Sequence, residues 1–263
     1  MENADVSQLS TLPLVSVDKA YHYMLSLAYD NQEGIMFLES QLYNLLKEMP
    51  ENADLLALLL HEQIMNNRGQ RARSIAYKIW ENGGEMQPDI EKMYIDDLMN
   101  LCLLDMAGAA LAPAISDIEN NVAYWGELLF KYAIISGNMQ LLERLLAYQP
   151  DKRNFNILRD WVNLCADMKA TAHMPHIMNR LCEKLQDMML GFSFKLFFDR
   201  GFPEIMFVFY VNNEVDNLEE LRNMLNMQIS TYCAQRKLED LINLSSVLYP
   251  IKNHPILNPD AEA

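Results

Sequence analysis

The stretch Asn120–Pro150, NNVAYWGELLFKYAIISGNMQLLERLLAYQP, predicts two antiparallel helices joined by a tight turn. Apolar residues recur at helical spacing along its first half, and Glu127 and Lys131 fall on the opposite, polar face. Gly137 interrupts the pattern, and Asn138 is suited to cap the second helix, which a proline ends. Because neither helix can bury its apolar stripe alone, we expect the pair to pack against similar neighbours.

Helix pairs of this kind recur from Asp18 to Leu190. The turns inside successive pairs lie on average 34 residues apart, at Gly34, Gly69, Gly108, Gly137 and Ala170. A fixed period of this length predicts a repeat architecture in which each pair stacks on the next.

This helix-turn-helix period resembles that of the tetratricopeptide-repeat (TPR) family over most of the repeat region. In the first pair Leu25, Ser26 and Tyr29 match the family's leucine, small residue and tyrosine, whereas Leu38 replaces a small residue. The later pairs keep the period but not these signature residues. The resemblance implies an α-solenoid whose groove binds peptides or partner helices, with these candidate groove residues: Tyr21, Tyr29, Asn66, Tyr94, Trp125 and Tyr132.

The pattern changes from helical to alternating after Leu190. Aromatic and β-branched residues dominate Phe192–Asp199 and Glu204–Asn212, which predicts a β-hairpin. Leu218–Ala234 and Leu238–Tyr249 then predict a last helix pair. The expected fold is therefore mainly α, a TPR-like α-solenoid of antiparallel helix pairs with a β-hairpin insertion near the C-terminus.

The predicted hairpin needs a cover, because two strands are marginal in water and its second strand is apolar on both faces. The cover is either the chain's own last helix pair or another chain. A twin chain would form a homodimer through Phe207 and Phe209, and a client strand would add to the exposed edge.

Four segments follow from these patterns. Residues 1–17 form a flexible N-terminal tail, 18–190 the helical-repeat region, 191–250 the hairpin with the last helix pair, and 251–263 a C-terminal tail.

Bulk composition limits the classes of partner. The hydrophobic content of 51% excludes a largely disordered chain, and the net charge of -15 argues against binding nucleic acid or an anionic membrane. A charged protein or peptide partner is therefore expected to be basic. The acidic, polar amino terminus is unlike a signal peptide, so we expect a cytoplasmic location.

Cysteines and histidines offer one metal hypothesis. Cys165, His173, His176 and Cys182 surround one predicted turn and are residue types that bind zinc, but no CxxC or HxxxH spacing accompanies them. Four reduced, buried thiols are the favoured interpretation. His61-Glu62 does not complete an HExxH motif, because Met65 occupies the place of the second histidine.

Arg68, Arg71 and Arg73, followed by Lys78, form a basic segment in an acidic chain. It either complements acidic neighbours or is a docking patch for a carboxylate-rich peptide, since arginine binds carboxylates through two parallel hydrogen bonds. Acidic pairs such as Asp96-Asp97 are interpreted as solvated helix faces.

No nucleotide-binding loop or hydrolase nucleophile motif is present, so we expect no enzymatic activity and no cofactor. The predicted function is a protein-binding scaffold or chaperone-like adaptor, and the predicted partner-binding residues are Tyr29, Arg68, Arg71, Arg73, Trp125, Tyr132, Phe207 and Phe209. A structural homodimer through the hairpin and a zinc-dependent enzyme or zinc-stabilised domain are the alternatives.

Overall fold

The computed structural model describes residues 13–28, 31–66, 68–148, 159, 173–185, 189–199, 202–211, 217–237 and 244–250. Within these ranges the protein is mainly helical with a small three-stranded sheet. The chain divides inside one helix, between Tyr94 and Ile95, into two compact units.

The first unit is a set of stacked helices. Its elements are α1 (Val17–Ser26), α2 (Gln32–Glu48), α3 (Ala53–Met65), α4 (Gly69–Asn82) and the first half of α5 (Pro88–Asn100). Side chains of Ser16, Asn31 and Asn52 accept hydrogen bonds from the first turns of α1, α2 and α3, which fixes where these helices begin.

Helix α3 is the centre of the first unit. Its sequence, ADLLALLLHEQIM, is apolar on almost every side, and all of its residues except His61 are buried. It packs against α1, α2 and α4, which explains why a helix without a polar face is stable here.

The second unit combines helices with the sheet. Its further elements are α6 (Leu104–Ser116), α7 (Ile118–Ser136), α8 (Met139–Tyr148), α9 (Met174–Leu185), α10 (Leu218–Gln235), β1 (Met189–Asp199), β2 (Phe202–Val211) and β3 (Leu244–Pro250). Helix α7 is its central helix and packs against α6, α8 and α9.

The helix pair predicted from Asn120 to Pro150 is confirmed as α7 and α8. Gly137 ends α7 in a left-handed conformation (φ 65°), and the Asn138 side chain accepts a hydrogen bond from the Leu141 N–H at 3.1 Å. The prediction that Lys131 lies on a polar face was wrong. Only 8% of the residue is exposed, because its ammonium group pairs with the carboxylate of Asp96 inside the packed unit.

Two predicted turns were misplaced. Gly34 lies in the first turn of α2, where a Cβ atom would meet Leu27 and Asn31. Gly108 lies inside α6, where a Cβ atom would clash with the Tyr132 hydroxyl group. Both glycines serve close packing instead of chain reversal, and the sequence alone does not separate these two uses. The turn assigned to Ala170 lies outside the described residues.

The β-hairpin is confirmed. Strands β1 and β2 pair antiparallel, with Phe194 opposite Phe207 and Phe192 opposite Phe209. The second helix of the last pair, predicted over Leu238–Tyr249, was wrong: the described part forms strand β3, which lies beside β2 in the order β1-β2-β3.

Side chains alternate between buried and half-buried positions along strand β3. Ser246 and Leu248 are buried while Ser245 and Val247 are half-buried. The Ser246 N–H and hydroxyl both donate to Asn226 Oδ1 on α10, at 2.9 and 2.8 Å. Ser245 donates to Glu204 on β2 at 2.7 Å. Contacts with distant residues therefore decide the conformation of this segment.

Cys102 and Cys182 form a disulfide, which corrects the expectation of four reduced thiols. The bond joins the segment after α5 to α9 across a sequence separation of 80 residues. Cys233 is a free, buried thiol, and burial raises its pKa. Cys165 lies outside the described residues. The pairing was missed because sequence spacing does not reveal which distant cysteines meet.

Candidate functional site

An open groove crosses the first unit between α2, α3 and α4. It has a volume of about 330 Å³, and its lining is mainly apolar: Tyr43, Leu46, Pro50, Leu56, Leu59, Arg71, Ser74, Ile75 and Lys78. Leu56 and Leu59 belong to the buried helix α3, whereas Tyr43, Ser74 and Lys78 are exposed on the flanking helices. The groove is therefore a surface site whose inner side is the hydrophobic core.

Helices α2 and α4 also expose other large apolar side chains to solvent. Tyr77 and Trp80 of α4 are about half exposed and lie three residues apart, which places them on one helix face. Met36 of α2 is 63% exposed. Exposed aromatic side chains that share one helix face are common at interaction sites in proteins.

Two cations stand at the groove. Arg71 and Lys78 are two helical turns apart on α4, so their side chains leave the helix on the same side. Lys78 donates to the Pro50 carbonyl at 3.3 Å. The Arg71 guanidinium lies 3.7 Å from Glu39 Oε1 with 61% of its side chain exposed, which is a weak, solvated ion pair. Both cations can therefore turn toward a ligand at little cost.

Beside the groove, Glu39 of α2 connects three helices. Its Oε1 atom lies 2.6 Å from Arg68 Nη1 at the start of α4. Gln63 of α3 donates its side-chain amide to Glu39 and also to Glu62, so one amide bridges two carboxylates. This network fixes the position of α4 relative to α2 and α3, the three helices that line the groove.

Glu62 is the most perturbed acid of this network. The residue is completely buried. Burial, with the neighbouring Glu39 carboxylate adding to it, raises the pKa of Glu62 to about 7, although hydrogen bonds from Gln63 and Asn66 and the charge of Arg68 oppose the rise. A carboxyl group with this pKa holds its proton in part near neutral pH.

The basic segment predicted from sequence is divided by the structure. Arg68 is committed to Glu39, as expected for a charge that complements an acidic neighbour. Arg71 lines the groove, and Lys78 lines it on the same side of α4. Arg73 is half-buried. Only part of the predicted patch is thus at the groove.

The aromatic groove candidates do not gather at this groove. Trp125 is half-buried and packs edge-on against Tyr124, with ring centroids 5.0 Å apart. Tyr132 is half-buried against Gly108, and burial raises its pKa. Tyr94 is buried, and burial raises its pKa to about 12.

The remaining candidates have other environments. Tyr21 is half-buried, and burial raises its pKa, with the charge of Asp89 adding to the effect. Asn66 donates to the Glu62 carboxylate. Tyr29 lies outside the described residues.

Phe207 and Phe209 are fully buried in the second unit, with ring centroids 6.4 Å apart. In this structure neither side chain presents surface to another chain, and β3 occupies the edge of β2 that β1 leaves free. A homodimer through these two residues stays a prediction from the sequence.

The proposed zinc ligands cannot be assembled from the part of the chain that is described. Cys182 is bonded to Cys102, and Cys165 lies outside the described ranges. Among the residues that the structure places, no three histidine, cysteine, aspartate or glutamate side chains cluster as a metal site.

Sequence reasoning missed the groove itself. Its lining residues come from α2, α3 and α4, and only their packing brings them together. A usable signal was present in α4, where tyrosine and tryptophan occupy positions that a simple amphipathic helix would give to polar residues. Glu39 and Glu62 gave no such signal.

No family model, curated protein or solved structure matches this chain. The resemblance to tetratricopeptide repeats stays a prediction from the sequence period. Across the described ranges, no helix has the length and apolar character needed to span a membrane. Fold and site together define a mainly helical protein with an open apolar groove.

Proposed function

We propose that this protein is a protein-interaction scaffold or chaperone-like adaptor that binds an apolar segment of a partner protein in the groove between α2, α3 and α4. The observation that carries the proposal is the groove itself, which is apolar, open to solvent and bordered by two cations. Partner helices and extended peptides commonly insert apolar side chains into grooves of this kind.

The stacking of α1 to α4 supports the scaffold proposal. Helix α3 packs against α1 as well as against α2 and α4, the contact pattern expected where one helix pair stacks on the next. A TPR-like solenoid is the finer form of this proposal, and its function would be peptide binding in a groove.

The charges suggest what the partner segment contains. Arg71 and Lys78 favour one or two carboxylates beside the apolar side chains of the ligand. The net charge of -15 favours a partner that is basic outside the bound segment. An apolar segment with a short acidic flank, in an otherwise basic protein, satisfies both conditions.

Selection from a random peptide library displayed on phage tests this proposal. The bait is the full chain, with counter-selection against the Ser74→Arg variant, whose new side chain fills the groove. Enriched peptides should combine apolar and acidic residues. Failure to enrich any sequence, or enrichment that counter-selection with Ser74→Arg abolishes, contradicts the proposal.

The Ser26→Arg variant is the matched control. Ser26 and Ser74 are both exposed serines in helices of the first unit, and each donates its hydroxyl to a carbonyl of the preceding turn. Ser26 does not line the groove. Counter-selection with Ser26→Arg should remove most of the peptides that Ser74→Arg leaves behind, because its groove is intact.

A further inference from the structure

Two arginines lie against a single tyrosine ring in the second unit. The guanidinium carbons of Arg180 on α9 and Arg236 just after α10 lie 5.1 and 5.6 Å from the centroid of the Tyr232 ring. Tyr232 is buried, with 4% of the residue exposed, whereas both arginines are exposed. The ring therefore lies in the core, and the two arginines that contact it face solvent.

The Tyr232 ring is held in place. A hydrogen bond of 3.0 Å joins its hydroxyl group to His173 Nδ1, and the His173 ring meets it edge-on. Buried Ile229, on the same helix, and Ile177, on α9, lie beside it in a shallow crevice between the two helices. A guanidinium that lies over an aromatic ring keeps its hydrogen-bond donors free for a ligand, because the ring contacts it through charge and π-electrons.

Neither arginine has an acidic partner in the part of the chain that the structure describes. Within the same helices, the exposed Arg222 does reach an acid, Glu219, at 4.0 Å. Both cations contact one ring, so about a Debye length or less, ~10 Å at 0.1 M salt, separates them. In a chain with a net charge of -15, two adjacent arginines that no acid pairs with among the described residues are a local concentration of positive charge.

The shape of the site indicates the size of the ligand. The crevice between α9 and α10 is too shallow to enclose a small molecule. Two exposed guanidiniums beside so shallow a crevice fit anionic groups that project from a larger molecule. Because the rest of the chain is strongly acidic, a long nucleic acid would be repelled, whereas a short acidic peptide carries only a few charges.

We propose that Arg180 and Arg236, held on the Tyr232 ring, form a docking surface for an acidic peptide segment of a partner protein. Each guanidinium binds one carboxylate through two parallel hydrogen bonds. This surface is independent of the groove in the first unit, and its ligand needs carboxylates more than apolar side chains.

Fluorescence anisotropy with a fluorescein-labelled hexaglutamate peptide tests the docking surface, using the full chain at low and at physiological salt. Wild-type protein should bind the peptide, more weakly as salt rises. The Arg180→Gln/Arg236→Gln double variant should bind at least about tenfold more weakly, since two charge-assisted contacts are lost.

The Arg222→Gln variant is the matched control, because it removes an exposed arginine of α10 that does not contact Tyr232. It should change the affinity less than about twofold. No binding by wild-type protein, or an equal loss in Arg222→Gln and in the double variant, overturns the proposal. A labelled oligouridylate that binds more tightly than hexaglutamate and depends on Arg180 and Arg236 overturns the choice of partner.

Discussion

The Nζ atom of Lys131 lies 2.6 Å from Oδ1 of Asp96, within the packed second unit. The same ammonium group donates to Asn100 Oδ1 at 3.1 Å and lies 4.3 Å from the centroid of the Phe192 ring. Asn100 Oδ1 also accepts the Phe192 N–H at 3.3 Å. One buried lysine therefore joins α5, α7 and β1.

Replacing this lysine should destabilise the fold. Lys131→Met keeps the length and apolar stem of the side chain but removes its charge, so Asp96 Oδ1 and Asn100 Oδ1 each lose the hydrogen bond from Nζ. Because Asp96 is partly exposed and can be hydrated, we expect a loss of about 1–3 kcal/mol in the free energy of unfolding, measured by urea denaturation. Lys195→Met, at an exposed lysine of β1, is the control and should change it by less than about 0.5 kcal/mol. Equal effects of the two substitutions contradict this role.

Glu62 predicts an unusual dependence of stability on pH. Its pKa is raised from 4.5 to about 7 in the folded state. Below pH 4.5 the folded and the unfolded chain both hold this proton, and the contribution of Glu62 to stability is greatest there. As pH rises between these values the unfolded chain releases the proton first, which favours unfolding. The expected loss is on the order of 2–3 kcal/mol up to neutral pH, measured by urea denaturation at several pH values.

The Glu62→Gln variant removes this titration while keeping the shape of the side chain. Its stability should change less over the same pH interval than that of wild type. Glu48→Gln, at an exposed position near the end of α2, should retain the wild-type profile. A profile of Glu62→Gln that follows wild type throughout the interval contradicts the assignment.

Asn138 should contribute to stability as the cap of α8. Asn138→Ala removes the acceptor for the Leu141 N–H, and we expect a loss of about 1 kcal/mol in the free energy of unfolding. Asn223→Ala, at an exposed position within α10, is the control. An unchanged urea midpoint for Asn138→Ala would contradict a stabilising role of this cap.

The disulfide makes a prediction about thiol content. Protein purified without reductant and then unfolded should react with a thiol reagent at no more than two cysteines, and at four after reduction, since Cys102 and Cys182 are bonded. Because the bond closes a long loop, reduction should also lower stability by about 2–4 kcal/mol. Four reactive thiols before reduction contradict the bond.

Local patterns predicted the helices well. The α7–α8 pair follows from apolar spacing, Gly137 and Asn138, all of which act within a few residues. The hairpin follows equally from alternation and aromatic content. Each of these signals is contained in the segment that it shapes.

The errors have a common physical cause. Lys131 was assigned to a polar face, but Asp96 lies 35 residues earlier in the chain and makes burial possible. Asp97, interpreted as solvated, is also buried. Strand β3 depends on α10 and β2. The groove likewise exists only where three helices meet, so residues that line it have no shared local pattern.

The most direct test of the scaffold proposal is the dissociation constant of one selected peptide, measured by isothermal titration calorimetry. We expect Ser74→Arg to weaken binding by at least about tenfold, Ser26→Arg to stay within about twofold of wild type, and both variants to unfold at the wild-type urea concentration. Binding to Ser74→Arg as tight as to wild type would show that the peptide binds elsewhere and that the groove is not the interaction site.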